Sequence, residues 1–137
     1  MSYGVAAALQ TAIFQELTNH AGLTALLGGA VYDALPPGAL PPLYAILGSE
    51  DVKDASDKTG GGALHEFTVT VVTESAGFAS AKVAAAAISD VLTASDLALS
   101  RGTLVALNFY KAKAARIGTG DKRQIDLIFR ARVSDET

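Results

Sequence analysis

The fold of this chain turns on the stretch Arg123-Gln-Ile-Asp-Leu-Ile-Phe-Arg-Ala-Arg-Val133. Ile125, Leu127, Phe129, Ala131 and Val133 fall on one side of an extended backbone. Gln124, Asp126, Arg130 and Arg132 fall on the other, with Ile128 the one apolar exception. A period of two belongs to a β-strand, whose successive side chains point to opposite faces. One apolar and one polar face describe a half-buried antiparallel strand whose second face meets water or a partner.

The segments before it extend the same pattern. Gly118-Thr-Gly-Asp121 has the composition of a hairpin turn. Upstream of it, Val105, Leu107 and Phe109 share one face of a strand, with Leu104, Ala106 and Asn108 on the other. In Ala63–Thr73, Phe67, Val69 and Val71 oppose Glu66, Thr68 and Thr70. Leu43–Leu47 is short, apolar and β-compatible, ending at Gly48, and Val31-Tyr32 is a brief extended piece. Between these lie two irregular segments. Pro36, Pro37, Pro41 and Pro42 fix φ and remove four backbone donors, so their stretch is neither helix nor central strand. Residues 49–62 are polar, charged and glycine-rich, and read as an exposed loop.

Helical periodicity appears twice. Val5, Leu9, Ile13 and Leu17 recur at four-residue spacing, predicting a helix from about Val5 to Asn19 with Ser2 as N-cap and Gly22 as a stop. A short helical turn through Thr24–Leu27 is closed by Gly28 and Gly29. After Gly77, Phe78, Ala81, Ala84, Ala85, Ile88, Val91 and Leu92 give a second helix its buried face, running to about Thr93. Its run of alanines allows close packing on a sheet or helix. The order α-β-β-β-α-β-β defines an α+β fold over residues 1–137: a mostly antiparallel sheet of four to five strands with two main helices on one face. There is no internal repeat and no domain boundary.

Composition narrows the function. At 137 residues the chain is long enough to bury roughly two-thirds of its unfolded surface. A net charge of -3 gives no long-range pull toward nucleic acid. Cysteine is absent, which removes disulfides, thiolate catalysis and Cys-based zinc sites together. There is no basic secretory leader and no apolar run near ~20 residues, so a soluble protein made in the cytoplasm, with no membrane partner, is expected.

Candidate chemistry dissolves under inspection. His20 and His65 are the only histidines, and neither has metal-ligand spacing to a second ligand. His20, at the end of the first helix, is placed to interact with free carbonyls. Thr59-Gly-Gly-Gly62 lacks the Lys-Ser/Thr pair and following helix of a phosphate loop. Glu50, Asp51, Asp54 and Asp57 do not follow an EF-hand series, and Lys53 and Lys58 offset their charge. No serine sits in a nucleophile elbow. The chain is therefore read as a non-enzyme with no cofactor and no metal. What remains is a concentration of basic residues in the last two strands and their turn: Lys111, Lys113, Arg116, Lys122, Arg123, Arg130 and Arg132. These describe either a solvated strand face that discourages edge aggregation or a positive surface facing an acidic neighbour or a DNA path.

Several stretches together resemble the tail-completion, or tail-terminator, proteins of long-tailed phages and of alphaproteobacterial gene transfer agents. They are Leu9-Gln-Thr-Ala-Ile-Phe14, the segment Val31-Tyr-Asp-Ala-Leu-Pro-Pro through Gly48, and His65-Glu-Phe-Thr-Val-Thr-Val71. Gly77-Phe-x-x-Ala-Lys82 and Ile125–Arg132 complete the set. The resemblance implies a structural virion protein at the head-proximal end of the tail. There it would form a six-membered ring of copies of itself, stop polymerisation of the major tail tube protein and dock the head-side stopper or connector. DNA would pass through the channel without sequence-specific binding. On that reading Pro36, Pro37, Pro41, Pro42, Glu50, Asp51, Lys53, Asp54, Asp57 and Lys58 supply inter-subunit or axial contacts. The basic residues of the last strands face a partner or the channel. Another connector-zone protein of the stopper or neck type, or a small-molecule-binding α+β domain, are the alternatives.

Overall fold

A computed structural model describes residues 3–56, 60–74, 77–94, 96–118 and 122–135. Strand β5 (Arg123–Ser134) keeps its sequence alternation, with Ile125, Leu127, Phe129, Ala131 and Val133 all buried. It pairs antiparallel with β3 (Gly62–Thr73) on one side and β4 (Thr103–Arg116) on the other. Strand β3 pairs antiparallel with β2 (Leu43–Asp54), and the two-residue β1 (Val31–Tyr32) adds parallel to the start of β2. The sheet order is β1-β2-β3-β5-β4.

Among the described residues three helices, α1 (Ala6–Asn19), α2 (Ala21–Leu27) and α3 (Ala79–Ala94), complete the α+β fold. Leu9, Ile13 and Leu17 of α1, Leu23 and Leu27 of α2, and Ala84, Ile88 and Leu92 of α3 join the inward residues of β3 and β5 in one apolar cluster. The helices therefore cover one face of the sheet, as period-two strands with one apolar face require. Phe129 sits at the centre, fully buried, with the Phe67 ring stacked at 5.5 Å and the Phe109 ring edge-on at 6.0 Å. Alanines on α3 bring its backbone close to the sheet. Across the sheet, Ala30, Tyr44 and Val72, with Tyr32, Leu40 and Ile46 packed on them, form a small second cluster.

Four expectations are corrected. The loop assigned to residues 49–62 is strand over residues 49–54: β2 continues through Gly48 to Asp54, with a bulge between Leu47 and Glu50. Ala63–Phe67 offer it a ladder of backbone partners, and that pairing outweighs an unfavourable local composition. Gly22 does not stop the first helix. The break falls at His20, whose extended backbone (ψ 117°) ends α1 and whose Nδ1 accepts from the Leu23 N–H at 3.4 Å, capping α2. His20 thus stands at the end of α1, as expected, but its imidazole serves the start of α2 and not the free carbonyls of α1. The N-cap of α1 is Val5, with no side-chain bond, and Ser2 lies outside the described residues. In β4, bulges between Leu104 and Ala106 and between Phe109 and Lys111 shift the alternation. Leu107 is consequently buried while Val105 is 59% exposed.

Candidate functional site

The face of the sheet away from the helices is built by alternation. Opposite the buried Leu127, Phe129 and Ala131 stand Asp126, Ile128, Arg130 and Arg132 of β5. Thr68, Glu66 and Leu64 of β3 flank them on one side, and Lys111 and Lys113 of β4 on the other. The register places Asp51 beside Glu66 and Lys53 beside Leu64 at the β2 end. The face therefore grades from mixed charge at β2 and β3 to basic at β5 and β4.

Its side chains hold one another. Arg130 lies 3.5 Å over the centroid of the Tyr110 ring, and its Nε is 3.3 Å from Glu66 Oε2. Tyr110 is the residue expelled by the second β4 bulge, which sets its ring beside Arg130; Lys111 Nζ is 5.5 Å from the same ring. A guanidinium stacked on an aromatic face and bonded to a carboxylate is fixed in a way that lysine cannot reproduce. Asp126 accepts from the Thr70 hydroxyl at 2.8 Å and from the Gln124 amide at 2.9 Å. Arg132 donates to the Ala55 carbonyl at 3.2 Å, holding the end of the β2–β3 connection.

The basic residues picked from the sequence do not form one patch. Lys111, Lys113, Arg130 and Arg132 share the uncovered face. Arg116 and Arg123 stand opposite each other at the far end, where Arg123 lies 5.5 Å from the Phe78 ring on the helix side. Lys122 is exposed in the turn. The acidic residues divide likewise. Glu50 faces the helices, accepts a hydrogen bond from the Tyr3 hydroxyl and lies 3.4 Å from Nδ1 of the fully buried His65. That contact and the charge of Glu50 raise the Tyr3 pKa. Asp54 accepts from the hydroxyl (2.6 Å) and N–H (3.1 Å) of Ser56, which lowers its pKa. Asp57 and Lys58 lie outside the described residues.

Pro36, Pro37 and Pro42 are exposed or partly so, as is Pro41. Their segment is pinned at both ends and once in between. Gln10 donates to Asp33 at 2.5 Å, the Glu74 N–H donates to the Pro42 carbonyl at 2.9 Å, and Leu40 packs on the second cluster. A cleft of about 420 Å³ opens between α1 and the β2 bulge, lined by Tyr3, Leu9, Gln10, Ser49, Glu50 and Phe67 among others. Tyr3 and Glu50 there are bonded to each other. Among the described residues no group of three or more His, Asp or Glu side chains is placed to hold a metal. No described helix is long and apolar enough to cross a membrane.

The geometry is that of a scaffold with one open, charged sheet face, and comparison with known proteins gives that scaffold a family. Residues 11–134 match the family model described as tail completion protein gp17. The chain belongs to the gp17 tail-completion family. Among solved structures it is similar to a chain from the virion of a native gene transfer agent particle. The identity is 60%, the TM-score 0.92, and the match covers 97% of this chain and 99% of that one. No curated protein matches it. As a tail-completion protein the chain is a structural component of a phage-type tail, in keeping with side chains that bind one another. Tyr110 and Glu66 are the participants that sequence reading missed. Glu66 was legible as a polar strand residue, whereas the placement of Tyr110 depends on a bulge with no local signature.

Proposed function

We propose that this tail-completion protein is the tail terminator: a ring, six-membered in the family reading, that sits on the head-proximal end of the tail tube. It ends tube polymerisation and joins the tail to the head-side connector. The observation that carries this reading is the family match over residues 11–134 together with 60% identity to a gene transfer agent virion chain over nearly its whole length. A single domain over residues 1–137, acting by surface contact and without catalysis, fits this role. A ring of identical subunits needs two different patches on each copy, and closure follows from the rotation between them. Pro36, Pro37, Pro41 and Pro42, with Glu50, Asp51, Lys53 and Asp54 of β2 and Asp57 and Lys58 after it, are assigned to inter-subunit or axial contacts. Lys111, Lys113, Arg130 and Arg132 are assigned to the channel or partner side.

The test is removal of the protein from a producing strain, followed by electron microscopy of the particles. Overlong, uncapped tails are the expected result. Tails of normal length, capped but detached from full heads, would place the protein in the neck as a stopper and overturn the terminator reading.

A further inference from the structure

We infer that, within the ring just proposed and resting on that reading, each copy joins the next through its sheet. Strand β4 of one subunit pairs antiparallel with the open half of β2, Leu47–Asp54, of its neighbour. The sheet then runs without a break around the ring, and its uncovered face lines the bore.

Four observations lead here. The first is that the sheet ends in two long free edges. Strand β4 has β5 on one side and no other strand among the described residues. Strand β2 is covered by β1 only at Ala45 and Ile46, so Leu47–Asp54 is open. Long open edges are templates for pairing, and monomeric proteins keep them short or cover them.

The second is polarity. Every step in the order β2-β3-β5-β4 is antiparallel, so β2 and β4 run in opposite directions. Rotation about a ring axis brings the β2 of one copy beside the β4 of the next in the same antiparallel relation that builds the rest of the sheet.

The third is charge. Strand β4 carries Lys111, Lys113 and Arg116 and no acid. The open half of β2 carries Glu50, Asp51 and Asp54, with Lys53 its one basic residue. A two-fold pairing of β4 with itself would set lysine against lysine, and like charges across a strand pair are destabilising. The head-to-tail pairing sets Lys111 and Lys113 on the same face as Asp51 and Lys53, and Arg116 on the helix side with Glu50 and Asp54, so the basic β4 edge meets an edge of net negative charge. The β4 bulges and lysines guard this edge until a complementary one arrives.

The fourth is apolar exposure. The exposed large apolar side chains segregate to the two ends. Val105, Phe109, Tyr110 and Ile117 lie on or just after β4, while Tyr3, Leu26 and Leu35 lie toward β1 and β2, with Val83 on α3. Beside β4 the helix layer stops short, leaving a groove of about 350 Å³ walled by Ala85, Ala86, Phe109, Ala112 and Ala114. A neighbour seated on β4 closes it.

Size is consistent with passage of DNA. Six copies contributing four strands each give roughly 24 strands about 4.8 Å apart. With a tilt of about 40°, the backbone circle is roughly 48 Å across. After side chains, a bore remains that admits a duplex. Its wall would carry Lys53, Lys111, Lys113, Arg130 and Arg132 interspersed with Asp51, Glu66 and Asp126, a mixed lining over which DNA slides without a deep electrostatic trap.

The natural absence of cysteine makes the test direct. Asp51→Cys is combined in the full chain with Ala106→Cys, Asn108→Cys, Lys111→Cys or Lys113→Cys in turn, all of which share the uncovered face. A disulfide forms only between Cβ atoms about 3.5–4.5 Å apart, so the scan reads the register. Each variant is assembled with tail tubes and oxidised. One or two neighbouring pairs are expected to give a covalent ladder ending at the ring's copy number, and Asp51→Cys with the opposite-face Ala112→Cys none. Independently, K111E with K113E should weaken ring formation by roughly tenfold or more, with partial recovery when Asp51→Lys, on the same face, is added. A ring that forms by native mass, yet gives no ladder with any pair and ignores the charge exchange, overturns the edge pairing and leaves the terminator reading standing. Wild-type protein that stays monomeric even on tail ends overturns both.

Discussion

Replacing Phe129 with alanine is the sharpest probe of how this scaffold holds together. Phe129 is fully buried at the midpoint of β5, with Phe67 and Phe109 against its two sides. Deleting a buried phenylalanine side chain costs about 3–5 kcal/mol, from lost transfer free energy and the cavity left behind. The two ring contacts place Phe129→Ala in the upper half of that range. For 137 residues the unfolding entropy is roughly 0.3 kcal/mol/K, so a loss of about 4 kcal/mol lowers Tm by about 14 °C. A domain of this size has only about 5–15 kcal/mol in total. Thermal melting by circular dichroism, with urea titration to check that m is unchanged, measures the effect. Phe109→Ala is the internal comparison: that ring is 46% exposed in the lone chain, so its loss should cost about half as much or less. Equal costs for the two substitutions, or a Phe129→Ala loss under about 2 kcal/mol, would refute the placement of Phe129 at the centre of the core.

Gly102→Ala should destabilise by about 1–3 kcal/mol. Gly102 has φ +75°, and an added Cβ would meet the Ser134 carbonyl oxygen at 2.6 Å and Val5 Cγ2 at 2.9 Å. Gly118→Ala, at φ +63° with open space around it, should lose only about 1 kcal/mol; urea midpoints that coincide for the two would count against the close approach of the first turn to β5. Arg130→Lys keeps the charge opposite Glu66 but loses the stack on Tyr110. A double-mutant cycle pairing Arg130→Ala with Tyr110→Ala should therefore return a coupling of roughly 0.5–1 kcal/mol, and the same cycle run from Arg130→Lys should return almost none.

Much of the fold was legible from local pattern. Strand β5 was readable residue by residue because its alternation is unbroken, and the α3 face because its apolar positions recur at helical spacing. The functional surface was legible in part. The concentration of basic residues in the last strands was visible, but its division was not. Whether Arg123 joins Arg130 and Arg132 or turns toward Phe78 depends on which face of β5 the helices cover.

By itself the sequence determined the identity of the main strands, the two long helices, the absence of cysteine chemistry and the family resemblance. All of these rest on residue type and spacing along a few consecutive turns or pleats. Only the tertiary structure decided that polar residues 49–54 are strand, that His20 caps the second helix and that Tyr110 leaves the β4 register to lie on Arg130. Those outcomes are set by how the backbone and its partners settle in the folded sheet. A backbone donor takes whichever acceptor that sheet presents, and composition in a short window carries no information about which strand will be alongside.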